Sequence, residues 1–133
     1  MNALFVREDR CYQKIDLDSI RYIEAAESYS RIVTDQKIWV ILVSLSQLGE
    51  DLPWQDFCRI HRGYLVNTTR ITSFDMHYVR LGELELPIGR AYFRNFFAQM
   101  PVVGQNHGKD GQAKRRRRKA MEATKTAKAA GDQ

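Results

Sequence analysis

Phe57-Cys58-Arg59-Ile60-His61-Arg62-Gly63-Tyr64-Leu65-Val66-Asn67 interleaves apolar positions, two arginines and a histidine within eleven residues, with a glycine beside them. The spacing reads as strand, exposed turn, strand. Phe57 and Ile60 give the first arm its apolar side, and Tyr64, Leu65 and Val66 form a β-prone run in the second. Gly63 is the residue free to take positive φ between them. His61 and Arg62 then fall at the tip. An imidazole and a guanidinium presented on a β scaffold suit a partner rich in hydrogen-bond acceptors, and nucleic acid is the commonest such partner for arginine.

Outward from this hairpin the β pattern continues in both directions. Upstream, Leu4–Arg7 and Tyr12–Ile15 read as two strands joined by the polar turn Glu8-Asp9-Arg10. Asp16–Ser19 is a polar corner with room for one helical turn. Ile20–Ala25 forms the next strand, Glu27–Ser30 a connection, and Arg31–Thr34 pairs with Ile38–Ile41 across Asp35-Gln36-Lys37. Leu45, Leu48 and Leu52 then recur at i, i+3 and i+7 between a capping Ser44 and a terminating Pro53, which predicts a short amphipathic helix. Downstream, Arg70–Phe74, Tyr78–Leu81 and Glu85–Ile88 are strands, with turns at Asp75–His77 and at Gly82-Glu83. From Arg90 on, Tyr92, Phe93, Phe96 and Phe97 recur at helical spacing, so a closing helix is expected to lay its aromatic face on the sheet. Together these give an all-β body with two short helices and small antiparallel sheets, without a βαβ unit.

The chain has 133 residues, 44% of them hydrophobic, which suits one domain of ordinary size plus a tail. The formal charge of +5 is unevenly placed. Residues 104–133 hold nine Lys or Arg against three Asp or Glu, whereas residues 1–103 hold twelve against thirteen. In the body ten of the twelve cations are arginine, the type suited to bidentate contact with guanine or phosphate. We therefore divide the chain into a folded domain, residues 1–103, and a basic tail, residues 104–133, whose composition without aromatic residues predicts disorder. Lys114, Arg115, Arg116, Arg117, Arg118 and Lys119 form a six-cation block in it. Such a block attracts any polyanion without reading sequence, so the tail is either a plain solvated segment or an auxiliary phosphate-binding arm.

Other chemistry has little support. No apolar run is long enough to cross a bilayer and the first residues lack a signal-peptide layout, so the chain is expected in the cytoplasm without membrane association. Cys11 and Cys58 are too few for a disulfide framework and are expected as reduced, buried thiols. Cys58 and His61 have C-x-x-H spacing, but no second ligand pair follows, and Cys11, His77 and His107 fall at no zinc-site interval. No phosphate-cradling glycine loop, G-x-S-x-G or H-E-x-x-H motif occurs. Neither a cofactor, a metal nor enzyme activity is expected.

Three separated motifs stand in register: Ile20–Ala25 followed by Ser28-Tyr29, then Phe57–Asn67, then Leu86-Pro87-Ile88-Gly89-Arg90-Ala91-Tyr92. In this order and spacing the chain resembles, over residues 3–100, the LytTR DNA-binding domain of bacterial response regulators. The resemblance implies an elongated, ten-stranded β arrangement whose inter-strand loops, rather than a recognition helix, enter the DNA. It maps DNA contacts onto His61 and Arg62, onto Arg90 at the start of the last helix, and onto a third loop holding Tyr29 and Ser30 with Arg31 beside them. Arg90 stands at the positive end of a helix dipole, where an external anion is a good reason for a cation. Hydroxyls at Tyr29 and Ser30 suit a phosphate contact better than base readout. Arg59 has two readings, a phosphate contact or an acidic neighbour's partner, whereas Asn67 before Thr68-Thr69 reads as a turn former bonding its own backbone. Most relatives carry a receiver domain in a two-component system; this chain opens almost at its first strand, so a stand-alone regulator is expected, with regulation by abundance, by a partner or by dimerisation left open.

The leading expectation is a sequence-specific duplex-DNA-binding transcription regulator, a homodimer on tandem half-sites being one arrangement. Two alternatives stay open: a LytTR-like protein-interaction module that sequesters or partners another regulator, for which Trp54 and Tyr78 are candidate exposed aromatics, and non-specific RNA binding through the tail.

Overall fold

In the computed structural model, residues 1–51 and 55–104 are described. Two compact units divide the chain after Ala91. Among the described residues the first holds ten strands and a short helix, and every strand pairing is antiparallel. β1 (Ala3–Glu8) and β2 (Cys11–Asp16) form the first hairpin, in register from Ala3↔Asp16 to Glu8↔Cys11. Its turn is closed by Asp9 at φ +61°, a left-handed conformation that a short polar side chain tolerates. Cys11 is exposed and not buried as expected: it shares a face of β2 with buried Ile15, but it sits at the turn end of the hairpin, where Gln13 on the same face is exposed too.

A 3-10 turn over Leu17–Ser19 leads into β3 (Ile20–Ala26), the middle strand of a five-stranded sheet. That sheet also contains β4 (Tyr29–Thr34), β5 (Ile38–Ile41), β6 (Phe57–His61) and β7 (Tyr64–Asn67), in the order β5-β4-β3-β7-β6. One face carries a cross-strand row of Trp39, Ile32, Ile23 and Leu65. Ile32, Ile23 and Leu65 join Leu4, Val6, Ile15, Ile20, Leu45, Leu48 and Phe57 in one buried cluster. Each such side chain contributes about 1.5–3 kcal/mol by leaving water. α1 (Leu45–Asp51) supplies Leu45 and Leu48 because helical spacing puts both on one face, and Ser44 Oγ accepts from Gln47 N at 3.1 Å as the expected cap.

Asn67 is 2% exposed and does more than form a turn. Its Oδ1 accepts from Thr69 N (3.0 Å) and Thr69 Oγ1 (2.8 Å), while Nδ2 donates to Ile20 O (2.8 Å) and Leu17 O (3.4 Å). The amide thus caps a second 3-10 turn, Thr68–Arg70, and ties it to the start of β3. This is why Arg70 is not in a strand: β8 is only Ser73–Phe74, and the Arg70 guanidinium turns back to Asp35 (2.6 Å) and to the Asp18 carbonyl (2.8 Å). β8, β9 (Tyr78–Leu81) and β10 (Leu84–Pro87) form a three-stranded sheet in the order β10-β9-β8. Gly82, at φ +70°, supplies the left-handed residue of the β9–β10 turn. Arg80 braces this sheet through Asp75 (2.7 Å) and Glu85 (3.0 Å).

α2 (Arg90–Gln99) begins in the first unit and continues into the second. Within it Phe96 is fully buried, and the rings of Phe93 and Phe97 stack with centroids 5.6 Å apart. The expected tail beyond Gly104, its six-cation block, and Leu52, Pro53 and Trp54 lie outside the described residues. Among the described residues no helix is long and apolar enough to cross a membrane.

Candidate nucleic-acid interface

The β6–β7 hairpin turns on two residues, Arg62 and Gly63, with His61 opposite Tyr64. Two-residue hairpins ordinarily take positive φ in the turn to match the twist of their strands. Here neither residue does; the expected role of Gly63 is corrected, and side chains close the turn instead. His61 Nδ1 accepts from Gly63 N at 2.9 Å, while Arg59 donates from Nε to the His61 carbonyl (2.8 Å) and from Nη2 to the Arg62 carbonyl (2.6 Å). Arg59 therefore holds backbone, which neither of its expected readings anticipated.

β6 also carries a bulge. Arg59 pairs with Leu65 and His61 with Tyr64, so Ile60 has no partner in β7. The ladder thereby leaves the Ile60 carbonyl to another donor, and it accepts from Gly89 N at 2.7 Å. This staple sets the first residue of α2, Arg90, beside the hairpin tip. A second staple, Ala25 N to the Gly63 carbonyl at 2.9 Å, joins the same tip to the end of β3, next to the Glu27-Ser28 turn. Three segments distant in sequence thus meet at one end of the five-stranded sheet. Arg62 and Arg90 are both exposed, and among the described residues neither has an ion-pair partner.

The third expected loop is shorter than the sequence pattern implies. Only Glu27 and Ser28 lie outside strands, while Tyr29 and Ser30 begin β4. Ser30 is fully buried and its hydroxyl donates to the Val43 carbonyl at 2.7 Å, which removes it from any surface contact. Tyr29 is half-buried, with its ring 5.7 Å below the Arg31 guanidinium. Arg31 Nη1 also donates to Glu24 Oε2 at 2.7 Å, and this bond pushes the guanidinium above its usual range. Arg31 and Glu24 belong to a row that crosses all five strands, Val40, Arg31, Glu24, Tyr64 and His61. The His61 and Tyr64 rings lie 5.5 Å apart in it, and Tyr22 meets Tyr64 edge-on at 6.0 Å. Burial, and then the nearby Glu24 carboxylate, raise the Tyr22 phenol, so it stays a neutral donor at ordinary pH.

The sequence matches the LytTr DNA-binding domain family over residues 10–100. The chain belongs to the LytTR family. Among solved structures, this LytTR domain is similar to the LytTr DNA-binding domain of a protein described as a putative methyl-accepting/DNA response regulator from Bacillus cereus. That likeness has a TM-score of 0.61 at 17% identity and covers 72% of this chain and 94% of the other, a similarity of fold. No curated protein matches. The family is a DNA-binding one rather than a catalytic one.

Of the expected site residues of this LytTR domain, the structure gathers Arg59, His61, Arg62 and Arg90 at one end and withdraws Ser30. Sequence reasoning missed the two backbone staples and Glu24. The Ile60 bulge has no composition signal, because the same strand read without it looks continuous. Glu24 was legible in principle, since cross-strand pairs of opposite charge stabilise antiparallel strands.

Proposed function

We propose that this chain is a sequence-specific duplex-DNA-binding regulator of transcription that reads the major groove with side chains from inter-strand turns and from the start of α2. The observation that carries this reading is the staple from Gly89 N to the Ile60 carbonyl, 2.7 Å, which keeps exposed Arg62 and Arg90 on adjoining turns. Two guanidinium groups on fixed backbone suit bidentate contact with guanine O6 and N7, the commonest specific contact in the groove. His61 joins them at the tip. Tyr29 and Arg31 flank the tip, with phosphate contact as their role, and Glu24 holds the Arg31 guanidinium in place; Arg59 acts through the turn. We assign sequence reading to residues 1–103 and a supplementary, sequence-blind attraction for phosphates to residues 104–133, above all Lys114–Lys119.

Selection from a random duplex pool by gel shift, followed by sequencing of the bound DNA, tests the proposal. Recovery of a motif is the expected result. Binding without enrichment would reduce the chain to a non-specific polyanion binder, and absence of binding would favour a module that partners another regulator.

A further inference from the structure

The turn that carries His61 and Arg62 lacks the positive-φ geometry that usually closes a two-residue hairpin, and three side-chain bonds stand in its place. Two come from one guanidinium. Arg59 Nε and Nη2 reach the carbonyls of His61 and Arg62 at 2.8 and 2.6 Å, a fork across successive peptide units that a lysine ammonium cannot reproduce with fixed planar geometry. The third fixes chemistry as well as shape. His61 Nδ1 accepts from Gly63 N at 2.9 Å, so in the neutral ring Nδ1 carries no hydrogen and Nε2 carries it. An imidazole locked in this tautomer offers Nε2 as a donor only.

We propose that Arg59 is a positioning residue that clamps the His61–Gly63 turn, and that the clamp restricts the His61 ring to contacts with hydrogen-bond acceptors on DNA. The acceptors available are guanine N7 and O6, adenine N7, thymine O4 and phosphate oxygens; the exocyclic amino groups of adenine and cytosine are excluded. This inference rests on the DNA-binding reading above and adds to it which partner atoms the tip accepts. Arg62, whose own carbonyl is held, projects its guanidinium from a backbone that needs no further ordering on binding, which lowers the entropic cost of contact.

Arg59→Lys separates clamp from charge. It keeps the cation that a phosphate contact needs, and discards the fork. The wild type and Arg59→Lys are compared on the duplex recovered by selection and on its scrambled form across a salt series, with thermal melting showing that both are folded. The clamp predicts that Arg59→Lys loses about 10-fold of the preference for the selected duplex while its salt slope stays that of the wild type. An unchanged preference overturns the clamp. A second readout needs no DNA: long-range proton–nitrogen correlation on the imidazole in alkaline buffer, with hydrogen exchange of the Gly63 amide. The Nε2–H tautomer and a protected Gly63 amide are expected in the wild type, and mixed tautomers with faster exchange in Arg59→Lys. The Nδ1–H tautomer in the wild type overturns the proposal. If selection recovers no motif from the wild type, the DNA reading fails by itself, and the tautomer and exchange results still decide the clamp.

Discussion

A guanidinium that gives two parallel bonds to a guanine edge contributes about 1–3 kcal/mol of discrimination between bases. Arg62→Ala and Arg90→Ala should each cost that much on the preferred duplex and compress the ratio of specific to non-specific affinity, as measured by competition gel shift. A uniform loss across all duplexes would instead make either residue a phosphate contact. Residues away from the tip answer to other forces. The Asp75 carboxyl is held down to about 2, first by the hydrogen bond from Arg80 and then by the backbone N–H groups of His77 and Tyr78. Because this is below the ordinary 3.8, the group's stabilisation is complete above that value and is lost as pH falls toward about 2. Asp75→Asn should therefore flatten the dependence of stability on pH in this window, measured by denaturant unfolding at a series of acid pH values. An identical slope in the variant would show that the ion pair carries no stability. The two cysteines differ for the same kind of reason: burial raises the Cys58 thiol to about 11, while Cys11 lies exposed at the first turn.

At the scale of the element, alternation and cross-strand pairing were legible wherever one face is buried. β5, β6, β7 and the start of α1 stand where their patterns put them, and Ser44 caps as its position implies. What composition does not carry is who satisfies a strand end. Ser30 reads as loop because serine is common in turns, yet its hydroxyl is taken by the Val43 carbonyl 13 residues away and the strand begins one residue earlier. Arg70 reads as strand until Asn67 is seen to start a 3-10 turn beneath it. The same limit hid the interface: the arginines and the histidine are visible as residue types, but their meeting depends on a bulge at Ile60 and on a glycine N–H from far downstream, at Gly89. Ser30→Ala tests the corrected assignment. Losing a buried hydroxyl and leaving the Val43 carbonyl without that donor should cost about 1–3 kcal/mol of folding stability in chemical denaturation, while the recovered DNA motif stays unchanged. An altered motif in a variant of undiminished stability would return Ser30 to the interface.

For the whole molecule, the proposed function puts specificity and salt dependence in different parts of the chain. The matched family region, residues 10–100, includes the tip and the start of α2, while the six-cation block lies at 114–119. Several exposed turns converge at one end of the five-stranded sheet, so on the proposed function one copy would read a short stretch of groove. The recovered site should accordingly contain short direct half-sites on one face of the duplex, and scrambling one of them should weaken binding sharply. Removing residues 104–133 takes nine cations and three anions from the protein without touching Arg62 or Arg90. For every phosphate that the shortened chain no longer neutralises, the slope of log affinity against log salt should fall by about 0.9, because fewer counterions are released on binding. The preferred motif should be the same as for the intact chain, since phosphates carry no base identity. A salt titration of the full chain, the truncation, Arg62→Ala and Arg90→Ala on preferred and scrambled duplexes reads both quantities at once. The truncation should move the slope and leave the preference; the arginine variants should move the preference. If the truncated protein loses its preference while both arginine variants keep theirs, recognition lies in the basic segment and the tip of the β6–β7 hairpin is not the reading head.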